Sequence, residues 1–126
     1  MSKSNLPEVL HIEDNPDISM IVAKILSNIA DITHVTSLEQ ARETIAEKAF
    51  DLAIIDLVLP DGSGLDMVSE LKTAQPSIAI IIHSAHEIAE TLHGVDAVLS
   101  KMYTLHDDLR ELVLDLTGRS KIAADG

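Results

Sequence analysis

The 126-residue sequence contains no cysteine, which removes disulfides, thiolate nucleophiles and Cys-ligated zinc or iron–sulfur centres from consideration. Tryptophan is also missing, and the aromatic side chains are one phenylalanine, Phe50, and one tyrosine, Tyr103. That leaves nothing to sandwich a flavin, and no Gly/Ser/Thr-rich phosphate loop follows the first apolar run. Basic residues are few: 9 Lys and Arg stand against 21 Asp and Glu, a formal net charge of −12. Such an excess repels phosphate backbones and anionic membrane surfaces, so no direct nucleic-acid binding is expected. Long apolar runs are lacking as well. The stretches at 52–59 and 78–82 are too short to cross a bilayer, and the residues before Glu8 carry no apolar targeting segment. A cytoplasmic protein without membrane insertion is the expectation.

What the chain does have is 46% apolar residues with 24% charged ones, too apolar for a disordered acidic tail and long enough for one domain with its own core. Val9–Ile12 reads as a short strand stopping at Glu13-Asp14-Asn15, with Asn15 as N-cap and Pro16 at the first helical position. Ile18, Ile21, Val22, Ile25, Leu26 and Ile29 then recur at the spacing of one helix face. Ile32–Val35 gives a second strand. Ser37-Leu38-Glu39-Gln40 has the form of a capping box, opening a second helix expected to end near Phe50. Leu52–Ile55 is continuously apolar, as for a strand buried on both faces of a parallel sheet. After Pro60-Asp61-Gly62-Ser63-Gly64, a turn-rich stretch, Leu65, Met67, Val68 and Leu71 mark a third helix closed before Pro76. Ile78–Ile82 and Val95–Leu99 read as strands. Residues 86–93 allow at most a short helix between them, and Leu105 to Leu116 a final helix stopped by Gly118.

Strands alternating with helices, without linker or repeat, imply an α/β sheet with helices on both faces. In such sheets functional groups gather at the carboxyl ends of the strands. Those ends deliver Glu13 and Asp14, Asp56, Ser84 and Lys101. Three carboxylates at close range raise one another's pKa unless a cation lies between them, and Mg2+ prefers such hard oxygen donors. An Asp beside a metal and a Lys suits aspartyl-phosphate chemistry. By spacing alone the six histidines form no metal-ligand set, His83 and His86 lying at a strand end rather than on a helix face.

On Glu13-Asp14-Asn15-Pro16-Asp17, Asp56 with Pro60, Gly62 and Gly64, Ser84-Ala85 and Lys101, the sequence resembles the receiver domain of two-component response regulators over residues 8–117. The resemblance implies a flavodoxin-like, doubly wound, five-stranded parallel sheet of order 2-1-3-4-5, in a single domain over 1–126 with 119–126 as a tail or the start of a linker. It also implies that Asp56 accepts a phosphoryl group from a histidine kinase or phosphotransfer protein. Glu13, Asp14, Asp56 and the main-chain carbonyl of Val58 would hold Mg2+. Ser84 and Lys101 would bind the phosphoryl oxygens, with Ala85 small enough to leave room, and Val58 and His86 would affect phosphate lifetime. Output would pass through a downstream protein partner. The chain would be no enzyme beyond slow self-catalysed phosphorylation and dephosphorylation, since short loops provide no substrate pocket.

The pattern is departed from at three places. Val98 stands where the family places an aromatic, three before the lysine. Met102 replaces the proline after it, so a trans bond and a shifted loop are expected. The 17 positions from Ser84 to Lys101 are short by about one helical turn or more, so the fourth helix should be shortened or absent. These departures motivate a second reading: a receiver fold that binds partners independently of phosphorylation.

Overall fold

A computed structural model of the chain describes residues 6–85, 92–101 and 106–118. Apolar runs form its centre: β1 (Glu8–Ile12), β2 (Asp31–Val35), β3 (Leu52–Ile55), β6 (Ala79–Ser84) and β7 (Ala97–Ser100) make one sheet. Its order is β2-β1-β3-β6-β7, and every neighbouring pair is parallel. This is the 2-1-3-4-5 order expected of the five main strands. The order reverses between β1 and β3, which opens a crevice beyond their carboxyl ends.

Side-chain alternation along the strands fills two layers. Leu10, Ile12, Ala53, Ile55, Ile80 and Ile82 face one side and meet α2 (Leu38–Glu47) and α3 (Gly64–Ala74). Val9, Leu52, Ile54 and Ile81 face the other and meet α1 (Pro16–Leu26) and α4 (His106–Leu116). Each fully buried Leu or Ile stabilises the fold by roughly 1.5–3 kcal/mol. His11 and His83 have the same parity as Val9 and Ile81, so two imidazoles occupy the layer covered by α1 and α4.

Capping follows the local sequence. The Asn15 side chain accepts from the amides of Asp17 and Ile18, and Pro16 opens α1. Ser37 Oγ accepts from Gln40 N at 3.2 Å. The reciprocal arm of the expected capping box is shifted, because Gln40 Oε1 accepts from Thr36 N at 2.8 Å. Asp61 completes this helix start from outside it, its two carboxylate oxygens accepting from Leu38 N at 2.9 Å and Glu39 N at 3.0 Å.

Three sequence expectations need correction. The second helix ends at Glu47, not near Phe50. Lys48 is extended, and the Gln75 amide donates to Lys48 O at 2.8 Å and Ile45 O at 3.3 Å. With Gln75 Oε1 accepting from Phe50 N at 2.8 Å, one distant side chain satisfies the helix end and turns the chain into β3. The turn-rich stretch after Asp56 is a small antiparallel hairpin of β4 (Val58–Leu59) and β5 (Gly62–Ser63). Its tight return uses Gly62 at φ 150°. Finally, the strand expected to end at Ile82 continues to Ser84, because parallel pairing with β7 carries through Ser84↔Ser100.

Among the described residues no helix lies between β6 and β7. The positions 86–91 that would hold one lie outside the described residues, as do Met102 and Tyr103. None of the described helices is long and apolar enough to cross a membrane.

Candidate functional site

The carboxyl ends of β1, β3, β6 and β7 bring the expected residues together. Glu13 directly follows β1, and its amide donates to Val35 O at 3.0 Å. Asp56 follows β3, its amide donating to Ile12 O at 3.0 Å. Both residues continue the sheet's hydrogen bonding by one position, so backbone pairing fixes where their side chains start. Ser84 is the last residue of β6 and is buried, and Ala85 beside it is exposed. Lys101 follows β7, held by its amide, which donates to Ser84 O at 2.8 Å.

The side chains then converge. Lys101 Nζ lies 2.7 Å from Glu13 Oε1 and 3.3 Å from Asp56 Oδ2. Glu13 Oε2 accepts from Asn15 N at 3.1 Å, and Asp56 Oδ1 from Val58 N at 3.3 Å. Glu13 is 1% exposed and Asp56 7%, whereas Asp14 is exposed at the rim. Burial raises the Glu13 pKa, opposed by the Lys101 ammonium and the Asn15 amide, with the Asp56 charge pushing it further up.

Glu13, Asp14 and Asp56 each offer a carboxylate oxygen within 4.8 Å of the other two. With all three ionised and Lys101 charged, the cluster keeps an excess of two negative charges. An all-carboxylate donor set of that charge fits a hard divalent cation, and Val58, 65% exposed two residues after Asp56, leaves its side open to solvent. Val98 is exposed on β7, in register with Ile82, so the position where an aromatic was expected faces outward with an aliphatic side chain. His86 lies outside the described residues.

Gly64 sets how closely α3 approaches Asp56. A Cβ on Gly64 would stand 2.1 Å from the Asp56 carbonyl oxygen and 2.8 Å from Ile55 Cγ2. The helix therefore starts against the backbone of the central carboxylate, and only glycine permits it.

Sequence reading missed two neighbours of the cluster. His11 and His83 lie in the layer beneath it, and each offers a ring nitrogen within 4.8 Å of the other's and of a Glu13 oxygen. Burial lowers the His11 pKa to about 3, helped by His34, His83 and Lys101. Burial also lowers that of His83 to about 4, helped by Lys101 and opposed by Asp56. His34 Nε2 donates to Glu13 O at 2.7 Å. The signal that could have found the pair is the strict alternation of β1 and β6, which gives both histidines the parity of buried apolar residues.

A five-stranded parallel sheet of this order, with a buried acidic cluster and a lysine at its switch point, defines a flavodoxin-like domain with an acidic site at its strand ends. The sequence profile of the response regulator receiver domain matches residues 9–113, and the chain belongs to that family. It is 32% identical over 85 residues to the response regulator protein PilR of Pseudomonas aeruginosa, covering 67% of this chain and 19% of that one. It is 38% identical over 86 residues to the sensor protein TorS of Escherichia coli, covering 67% of this chain and 9% of that one. The chain thus spans less than a fifth of the length of either relative. The fold is similar to the signal receiver domain of a LuxO repressor protein from Vibrio parahaemolyticus. That similarity has a TM-score of 0.82 at 27% identity, over 94% of this chain and 95% of that one. It is also similar to the Thermotoga maritima response regulator TrrA in complex with Mg2+ and beryllium fluoride, with a TM-score of 0.79 at 23% identity, over 88% and 99% of the two chains.

Proposed function

We propose that the chain is the phosphoacceptor module of a two-component phosphorelay, with Asp56 as acceptor. The observation that carries this reading is the convergence of Glu13, Asp14 and Asp56 with Lys101, whose ammonium lies 3.3 Å from Asp56. A carboxylate oxygen of Asp56 attacks the phosphorus of a phosphohistidine. The phosphorus–nitrogen bond breaks, and the donor imidazole leaves and takes up a proton from solvent. Receiver-bearing relatives that are themselves sensor and response regulator proteins support a histidine kinase or phosphotransfer protein as the donor.

Glu13, Asp14, Asp56 and the Val58 carbonyl are the residues that would hold Mg2+, which when bound neutralises charge on the transferring group. The TrrA structure, with Mg2+ and beryllium fluoride, supports Mg2+ as the ion. Lys101 and Ser84 take phosphoryl oxygens, and Ala85 leaves them space. The new dianion competes with Glu13 for the Lys101 ammonium, drawing β7 inward and altering the surface offered to a downstream protein. The working unit is the single domain 8–117, cytoplasmic, acting as a phosphoryl carrier rather than on a diffusible substrate.

The test is an amide NMR titration of the whole chain with Mg2+ and beryllium fluoride, in wild type and Asp56→Asn. Shifts at Asp56, Ser84 and Lys101 that vanish in Asp56→Asn are expected. No Mg2+-dependent change at saturation overturns the reading and leaves a phosphorylation-independent binding module.

A further inference from the structure

We propose that His11, Glu13 and His83 form a second metal site, suited to Zn2+, beneath the carboxylate cluster in the layer covered by α1 and α4. The three residues place one donor atom each within 4.8 Å of the others. Zn2+ takes imidazole nitrogen at about 2.0–2.1 Å and carboxylate oxygen at about 2.0–2.2 Å, so the three donors would draw closer together to share one ion. Two imidazoles and a carboxylate with a fourth position open form a zinc donor set, whereas Mg2+ would avoid the nitrogens.

Packing does not account for these histidines. Every other strand residue of that parity in the centre of the layer is aliphatic: Val9, Leu52, Ile54 and Ile81. A valine or isoleucine at either position would serve the core without burying polar atoms. Instead His11 is fully buried, and neither of its ring nitrogens has a hydrogen-bond partner among the described residues; His83, 5% exposed, leaves Nδ1 without one. Unpaired buried polar groups are rare in native interiors because each costs its desolvation. One ion beside the buried carboxylate takes one nitrogen from each imidazole, which gives both histidines a partner they otherwise lack.

A cavity of about 170 Å³ between α1 and α4 is lined by Ile18, Val22, Leu109, His83 and Lys101 among others, so it reaches one ligand and the lysine paired with Glu13. Lys101 Nζ lies 2.7 Å from Glu13 Oε1 and is displaced when that oxygen turns to the ion. Glu13 belongs to both donor sets. Zn2+ in the lower site therefore opposes Mg2+ in the upper one, and by linkage each weakens the other equally; this coupling, unlike the lower site itself, rests on the phosphoacceptor reading.

The experiment titrates the metal-free full chain with Zn2+ against a chromophoric chelator, and with Co2+ read by its visible absorption. Wild type, His11→Val, His83→Val, His34→Gln and Asp56→Asn are compared, with thermal melts confirming that each is folded. Expected are one Zn2+ per chain and a tetrahedral Co2+ spectrum in wild type, His34→Gln and Asp56→Asn. Either valine variant should lose more affinity than the roughly 10–100-fold that loss of an outer-shell partner costs. Wild-type binding no tighter than that of the folded valine variants overturns the site and marks any Zn2+ as adventitious. Zn2+ binding that leaves the Mg2+ and beryllium fluoride response unchanged overturns the coupling alone. Failure of that response in the absence of Zn2+ overturns the phosphoacceptor reading and leaves the lower site standing.

Discussion

Gly64→Ala tests how tightly the fold fixes the central carboxylate. The added methyl would lie 2.1 Å from Asp56 O, 2.8 Å from Ile55 Cγ2 and 3.0 Å from the Asp56 carbonyl carbon. Two of the three obstacles are main-chain atoms of the residue under test, so no side-chain rotation relieves the clash. The start of α3 must retreat by about 1 Å to restore ordinary contact, an overpacking strain of roughly 1–3 kcal/mol. The hydrogen bond from Gly64 N to Leu57 O, now 2.8 Å, lengthens with it, adding about 0.5–1.5 kcal/mol. Alanine's better helix propensity returns up to about 1 kcal/mol. The net expectation is destabilisation of roughly 0.5–4.5 kcal/mol, read as a lower urea midpoint with an unchanged m-value. At roughly 3–5 °C per kcal/mol, the melting temperature should fall by about 2–22 °C. Amide shifts at Leu57 and Val58 should accompany it, with weaker beryllium fluoride binding because Asp56 moves. A variant as stable as wild type, binding the phosphomimic equally well, would refute the argument that α3 is docked against this backbone.

Two further outcomes follow from the charges. Metal-free protein should lose stability on acidification: with folded-state pKa values of about 3 for His11 and about 4 for His83, the unfolded chain binds more protons once pH falls below about 6.5. Their contribution is whole above that pH and declines as pH falls through about 4 and then 3, each group giving a slope of about 1.4 kcal/mol per pH unit between its two pKa values. Urea midpoints measured from pH 7.5 to 4.5 check this, and His11→Val should flatten the profile and raise the midpoint at low pH. In Lys101→Met the ammonium no longer competes for Glu13 and Asp56, so Mg2+ should bind more tightly while the phosphomimic response is lost. Parallel Mg2+ titrations of variant and wild type decide it, and unchanged Mg2+ affinity would mean the ion pair does not oppose the metal.

The parts of the fold legible in the sequence are those whose cause is local. Leu52–Ile55 announces a doubly buried strand because four apolar residues leave no polar face. Asn15, Pro16 and Ser37 mark helix starts because each acts within three residues of itself. The cluster of Glu13, Asp14, Asp56 and Lys101 was legible because strand ends in such a sheet share one edge. What was hidden depends on distant partners. Gln75 ends α2 from the far side of α3, and Asp61 caps α2 from a hairpin twenty-odd residues downstream. The His11 and His83 neighbourhood requires both the parity of each strand and the knowledge that β3 separates β1 from β6.

The hairpin after Asp56 gives the site one fixed jaw and one free one. Asp61 ties the hairpin to the first amides of α2, and Gly64 N ties its other end back to Leu57. Loop and Asp56 are thereby bolted between two helix starts. The opposite jaw is Lys101, directly after β7, a strand that among the described residues pairs with β6 alone. On the phosphoacceptor reading, a new charge between the jaws would be resisted by the bolted one, and the displacement would fall on the sheet's outer strand.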